Sequence, residues 1–360
     1  MNLQPTDDEY KSLTNTDHIL GPMARAIQTS LQGDVASPVA SPQLQRQIEH
    51  ANQLFESRKY GEAARELKQI AVKNKQTAFG EEAQFKLAES LYRQQRYAQA
   101  QDEYERLLTD YPATRHVDNS SQRLFNIARN WLGVPAPKAA QSDIQLASHE
   151  EGGEPHEPAK LNTDDITVKF PLLPNFHDPT RPTFDTRGRA LKALKSIWLN
   201  DPNSPLADDA LMMTAMHYLK KGNHIEADRY FEMLREDSKT PHLKNAFLLG
   251  SHVKLLSYQG PAYESNSLDQ ARALKESTLR LFPNIQQREQ LRGELQDIYD
   301  AKAKKLWFNI GYWQSKEEPR AVALECQRLI EEFPDTEWAQ RARKVLDGID
   351  KKKLKGLPGF

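Results

Sequence analysis

The stretch that most restricts the fold is 81-EEAQFKLAESLYRQQRYAQAQDEYERLLTDYP-112. Phe85, Ala88, Leu91 and Tyr92 recur at helical spacing and form one apolar stripe. After a polar turn at Gln94 to Arg96, a second stripe of Ala100, Tyr104, Leu107, Leu108 and Tyr111 follows, and Pro112 stops it. The segment therefore reads as two helices folded back on each other. The small Ala88 and Ala100 stand where the paired helices must come close.

The pattern recurs. Tyr60, Ala63, Leu67, Ile70 and Ala71 repeat Tyr97, Ala100, Tyr104, Leu107 and Leu108 at one constant offset (97 − 60 = 37). The excess over a period of about 34 is assigned to a loop from Lys73 to Gly80. Downstream, Leu211, Ala215 and Tyr218 make a first helix, and Ala227, Phe231 and Leu234 its partner. Another pair spans 241–257 and 268–281. A long helix over 287–314, carrying Leu291, Leu295, Ile298, Leu306, Ile310 and Trp313, packs on 321–333, and 337–349 caps the stack. Two helices, a tight turn and a closing proline describe a tetratricopeptide repeat. The expected fold is an all-α solenoid of about five to six helix pairs.

One pair is split. A helix over 119–132 (Leu124, Ile127, Ala128, Trp131) finds no neighbour until 185–200, where Asp185 or Thr186 can cap a helix carrying Ala190, Leu194, Ile197 and Trp198. Between them lies 133–184, with 149-HEEGGEPHEP-158 and 171-PLLPNFHDPTRP-182. The expected organisation is a disordered tail 1–42, repeats 43–132, a Pro-rich acidic insert 133–184 within a repeat, repeats 185–349, and a basic tail 350–360. In the insert, 133–160 lacks the apolar side chains to offset its ordering entropy. In contrast, 166-ITVKFPLLPNF-176 reads as a segment held against the repeats.

Several function classes fall away. The formal net charge is −1 with a pI near 6.8, so no basic field gathers nucleic acid or anionic lipid. The one cysteine, Cys326, excludes an internal disulfide and a multi-cysteine zinc site. No run approaches the ~20 apolar residues of a membrane helix, and Met1 to Tyr10 has no signal-peptide core, so a soluble chain is expected. Cys326 reads as a buried thiol at the position of Tyr104. His149 and His156, among Glu150, Glu151, Glu154 and Glu157, read as a solvated charge run, and His217 and His224 fall one heptad apart. Asp208 and Asp209 read as helix-start acidity. No H-E-x-x-H, phosphate loop or nucleophile elbow occurs. No catalytic, cofactor or metal residue is expected, and the chain reads as a non-enzyme. Trp307, Phe308, Tyr312 and Trp313 read as inter-helix core ahead of a binding cluster, with Phe308 and Tyr312 an i, i+4 pair on a different face from Ile310 that leaves one of them open to solvent.

What remains is protein binding. First helices of stacked repeats line the concave face, where Asn52, Phe55, Glu56, Phe85, Glu89, Tyr92 and Arg93 mix rings with hydrogen-bonding groups, as extended peptides require. The competing reading packs Phe55 and Phe85 between helices. A chaperone-type carboxylate clamp is incomplete, since only Asn52 fits it.

The closing signatures LLTDYPAT (107–114), LNDPNSP (199–205) and LIEEFPDT (329–336), with the long penultimate helix, resemble the BamD-like outer-membrane assembly lipoproteins. The likeness is best over 48–132 and 287–345. It implies repeats on the periplasmic face of an outer membrane, assisting a partner β-barrel protein that inserts other barrels. N-terminal repeats would receive unfolded barrel segments, and C-terminal repeats would dock the partner's periplasmic domain, with Lys316 exposed at the turn 314–319. That family is anchored through a lipidated cysteine after a signal peptide. Neither is found in this sequence, where Cys326 sits deep in the last repeat. The alternative is a generic cytoplasmic adaptor of the same repeat class.

Overall fold

The computed structural model describes residues 41–134, 178, 180–350 and 354, and all regular structure among them is helical. The helices are α1 (Pro42–Glu56), α2 (Tyr60–Lys73), α3 (Ala78–Arg93), α4 (Tyr97–Asp110), α5 (Val117–Leu132), α6 (Thr186–Asn200) and α7 (Pro205–Lys220). They continue with α8 (His224–Glu236), α9 (Leu243–Leu256), α10 (Asn266–Leu281), α11 (Arg288–Ser315), α12 (Pro319–Glu332) and α13 (Glu337–Asp347). Contacts divide the chain into two units, the first ending at Ala207 and the second beginning at Asp208.

In the first unit each helix from α1 to α6 packs on the next. Residues of the sequence stripes are removed from water: Ala63, Leu67 and Ile70; Ala88 and Leu91, joined by Leu87 from outside the stripe; Ala100, Tyr104 and Leu107; Leu124, Ile127 and Ala128; Ala190, Leu194 and Ile197. Helix α6 does pack on α5, and it is also tied to α4, where Gln101 Nε2 donates to Arg189 O (2.9 Å) and Arg189 donates to Ala98 O (2.7 Å). Asp185 caps α6 by accepting from Gly188 N. Trp131 Nε1 on α5 donates to Thr180 O (2.7 Å), which draws the approach to α6 onto the repeats. The acidic spacer 133–160 (apart from 133 and 134) and the apolar segment 166–176 lie outside the described residues.

The loop expected over 73–80 is shorter than its sequence reading. Helix α3 begins at Ala78, because Thr77 accepts from Gly80 N (3.1 Å) and donates to Asn74 O (2.7 Å). Gly80 permits this start, since a Cβ there would stand 2.1 Å from Asn74 O.

Four turns between a first and a second helix share one backbone. Their middle residue is left-handed: Arg58 (φ 59°), Gln95 (φ 60°), Gly222 (φ 71°) and Glu317 (φ 56°). Only glycine takes this conformation without a clash between Cβ and backbone. Gln95→Gly is therefore expected to raise the unfolding free energy by about 0.5 kcal/mol after its larger unfolded-state entropy is charged against it. Lys68→Gly, on the exposed side of α2, should instead lower it by about 1 kcal/mol. Denaturant titration of both reads the contrast, and a loss at Gln95 would mean that its side chain, not its backbone angle, holds the turn.

In the second unit, Tyr218 of α7 and Tyr230 of α8 stack (5.7 Å, 7°), and Arg235 Nη1 of α8 donates to Ala246 O of α9 (3.1 Å). Helices α9 through α13 then pack in order. Helix α11 runs 28 residues, about 42 Å at its helical rise. Its second half joins α12 and α13 in one core of Ala303, Leu306, Ile310, Val322, Leu329 and Phe333. Cys326 is wholly buried in that core, and burial with the nearby Glu325 charge pushes its thiol up to about 11. It is a packing residue, as its repeat position, equivalent to that of Tyr104, implies.

Candidate functional site

The first helices α1, α3 and α5 are linked by side chains one repeat apart. Lys86 Nζ donates to Asn52 Oδ1 (2.7 Å), His116 Nε2 lies 3.0 Å from Glu82 Oε2, and Arg123 Nε donates to Glu89 Oε1 (2.8 Å), each pair separated by 34 positions. Stacking moves each helix by one period, so residue i meets residue i + 34 on the same face. Arg115 also reaches Glu82 (2.6 Å). Burial works against the Glu82 carboxylate, but these donors hold it below its usual range.

Glu89 is the centre of the row. It is 7% exposed and accepts from the fully buried Tyr104 hydroxyl (2.5 Å) and from Arg123 through Nε and Nη2 (2.8 and 3.2 Å). The Arg123 guanidinium lies over the Tyr92 ring, 4.6 Å from its centroid. Burial, then the Glu89 charge, pushes the Tyr104 phenol far up, and the hydrogen bond from Arg123 to Glu89 raises Arg123 as well.

The expected groove residues thus divide by environment. Asn52 and Glu89 spend their hydrogen bonds on the next repeat. Phe55, Phe85 and Tyr92 are half-buried: Phe55 meets Tyr60 edge-on (5.5 Å), Phe85 stacks on His116 (3.9 Å, 4°), and Tyr92 lies under Arg123. Glu56 and Arg93 are exposed. Sequence reading missed Glu82, Lys86, His116 and Arg123, although opposite charges one period apart were there to be found.

A second surface lies on α11 and α13. Phe308 and Tyr312, of which the sequence led us to expect one at the surface, are both open, 48% and 51% exposed. The core line of α11 runs through Ala303, Leu306 and Ile310, so positions 308 and 312 turn away from it. Trp307 meets Trp338 (6.3 Å), and Trp313 packs on the core. With Gly311 these rings border a cleft of about 500 Å³. Lys316 ends α11, exposed, with its ammonium 5.7 Å from the Tyr312 centroid.

The remaining titratable pairs have structural partners. Asp209 Oδ1 lies 2.6 Å from His242 Nε2, here 33 positions on, and burial raises the pKa of its neighbour Asp208, which bonds Thr240. These carboxylates tie α7 to the start of α9. Among the described residues no group of three His, Cys, Asp or Glu could hold a metal; His149 and His156 lie outside them. No described helix is long and apolar enough to cross a membrane.

Residues 82–114, which span α3, its turn and α4, match the tetratricopeptide repeat family. The chain is a helical-repeat protein of the tetratricopeptide type. This fold usually serves as a non-catalytic platform for other proteins. No curated protein matches the chain. Among solved structures, a tetratricopeptide repeat protein from Parabacteroides merdae is 13% identical, over 85% of this chain and 98% of that one, with a TM-score of 0.29. PilW, a type IV pilus biogenesis factor, is 13% identical over 84% and 100%, with a TM-score of 0.24. Human IFIT1, solved as a dimer with m7Gppp-AAAA, is 14% identical over 92% and 61%, with a TM-score of 0.22. At such scores these likenesses carry no argument.

Proposed function

We propose that this tetratricopeptide protein is a scaffold that holds extended segments of other proteins through its N-terminal first helices. In the finer reading, taken from the resemblance to the outer-membrane assembly lipoproteins, the segments belong to β-barrel proteins awaiting insertion. Its place is then the periplasmic face of the outer membrane, and the second unit docks a barrel partner near Lys316. The observation that carries the scaffold reading is the tie of α1, α3 and α5 into one row, with Phe55, Phe85 and Tyr92 half-open beside the exposed Glu56 and Arg93. A row fixed by inter-repeat ion pairs is preorganised, so a peptide laid on it spends little affinity on ordering the protein. Rings beside a carboxylate and a guanidinium suit an extended chain of alternating side chains.

The test is the affinity of a fluorescent peptide copying the aromatic-ended last strand of a barrel protein. Truncating Phe85 and Tyr92 to alanine should weaken binding at least about tenfold, with the helical circular dichroism retained. Arg93→Gln reads the same face from an exposed position, and its unfolding midpoint, measured beside the affinity, separates binding from the loss of its ion pair to Glu89 (3.8 Å). Undiminished binding by both variants would end the proposal. Equal binding of a sequence-scrambled peptide would favour the general adaptor over the barrel-assembly role.

A further inference from the structure

The cleft between α11 and α13 has features that the chain's own packing does not explain. Phe308, Tyr312 and, across a loop, Tyr263 leave large apolar faces in water (48%, 51% and 57% exposed). Scattered exposed rings are ordinary, but rings gathered around one cleft mark interaction sites. Gly311 sits among them in a helix interior, where glycine is less stable than alanine. Among the described residues nothing lies within 4 Å of where its Cβ would be, so none of them requires a glycine there. Its absence of a side chain keeps the floor between Trp307, Phe308 and Tyr312 open.

Lys304 is the charged residue that lines the cleft, and this stretch of α11 is cationic between Asp300 and the pair Glu317 and Glu318. From Ala301 to Lys316 the sequence has Lys302, Lys304, Lys305 and Lys316 and no carboxylate. Lys302 is neutralised by Asp269 (2.6 Å), and Lys305 bonds the carbonyl of Tyr263. Lys304, which lines the cleft, and Lys305 and Lys316 have no carboxylate partner among the described residues. Arg341 lies over the Trp338 ring at 4.6 Å and pairs with Glu337.

We propose that this cleft docks an extended segment of a partner protein that carries one bulky apolar side chain flanked by carboxylates. The apolar group fills the space over Gly311 against Trp307, Phe308 and Tyr312, and the carboxylates meet Lys304 and Lys316. The chain's own end, 351-KKKLKGLPGF-360, has an apolar segment but the same charge as the cleft rim, which disfavours it as the occupant. The proposal rests on the scaffold reading and gives the second unit a partner chemistry.

Full-length protein is titrated with a synthetic peptide in which one tryptophan is flanked on both sides by glutamates. Binding that weakens as salt rises is expected. Gly311→Gln places a side chain over the floor, its Cβ meeting none of the described residues within 4 Å, and should cut affinity at least about tenfold. Its unfolding midpoint should stay level or rise, so the loss cannot come from misfolding. Exchanging the flanking glutamates for lysines should abolish binding. Unchanged affinity in Gly311→Gln, or equal affinity for the lysine peptide, would overturn the proposal. So would a concentration-dependent dimer that Gly311→Gln dissolves, since the occupant would then be a second copy. If barrel-strand peptides bind through Phe85 and Tyr92 while this peptide does not bind, the cleft proposal fails and the scaffold stands.

Discussion

Glu89→Ala is expected to lower the unfolding free energy by about 3 kcal/mol, the usual cost of leaving a buried charge without its partner. The carboxylate satisfies two groups at once. Tyr104 is fully buried and donates its hydroxyl to Glu89 at 2.5 Å, and Arg123 of the next repeat donates two further bonds. Removing Glu89 strands a phenol in the core and a guanidinium against the Tyr92 ring. Adding Tyr104→Phe should restore part of the loss, because the stranded hydroxyl is then gone. Chemical denaturation of the single and double variants measures the coupling, and a loss under 1 kcal/mol in the single variant would show that water replaces the carboxylate. The same site fixes a pH dependence. Burial and the Glu89 charge raise the Tyr104 phenol, so the unfolded state ionises first, near the ordinary tyrosine value of about 10. Stability from the neutral phenol is present below that pH and is lost as the pH climbs above it.

Lys275→Ala should cost a similar amount, about 3 kcal/mol, for the converse reason. The Lys275 side chain is 1% exposed, and its ammonium pairs with Glu294 of α11 and donates to Ser251 Oγ of α9 (3.3 Å). Three helices therefore meet on one buried cation. Lys275→Met with Glu294→Leu should recover most of the stability, since apolar groups of similar volume avoid the desolvation of both charges. His252, on α9, reports the change. Burial lowers its pKa most, Glu294 raises it, and Lys275 lowers it. Lys275→Met alone should consequently move the His252 titration upward in an NMR experiment, and an unmoved titration would mean that the ammonium does not lie where the ion pair requires. In the parent protein the lowered His252 contributes stability above the ordinary histidine range, about 6.5, that is lost as pH falls below it, because the unfolded chain takes up the proton first.

The helices were legible because their evidence is local. An apolar stripe at 85, 88, 91 and 92, or at 100, 104, 107 and 108, is a periodicity within one helix, and a closing Pro112 or a capping Asp185 acts within one turn. The fit of 185–200 beside 117–132 was readable too, because each carried a stripe with no neighbour in sequence. The start of α3 was not. Its position depends on Thr77 and on the bare backbone of Gly80 against Asn74, a contact that residue type alone does not announce.

By itself the sequence determined that the chain forms paired helices stacked at a tetratricopeptide period, because burial of an apolar stripe is dictated by spacing and holds whatever the neighbour is. Only the tertiary structure decided how the polar side chains are used. Lys275 occupies a core position between Ala271 and Thr278, and it is tolerable there only because Glu294 arrives from the following helix. Glu89 reads as a groove carboxylate until Arg123 comes alongside one period later. The sequence set Phe308 and Tyr312 on a face apart from Ile310, and the line of Ala303, Leu306 and Ile310 along the buried side of α11 turns both, not one, to solvent. A hydrophobic pattern needs only a neighbour that excludes water, whereas an ion pair or an exposed ring is defined by one particular partner at one distance, and the stacking of separate helices sets that distance.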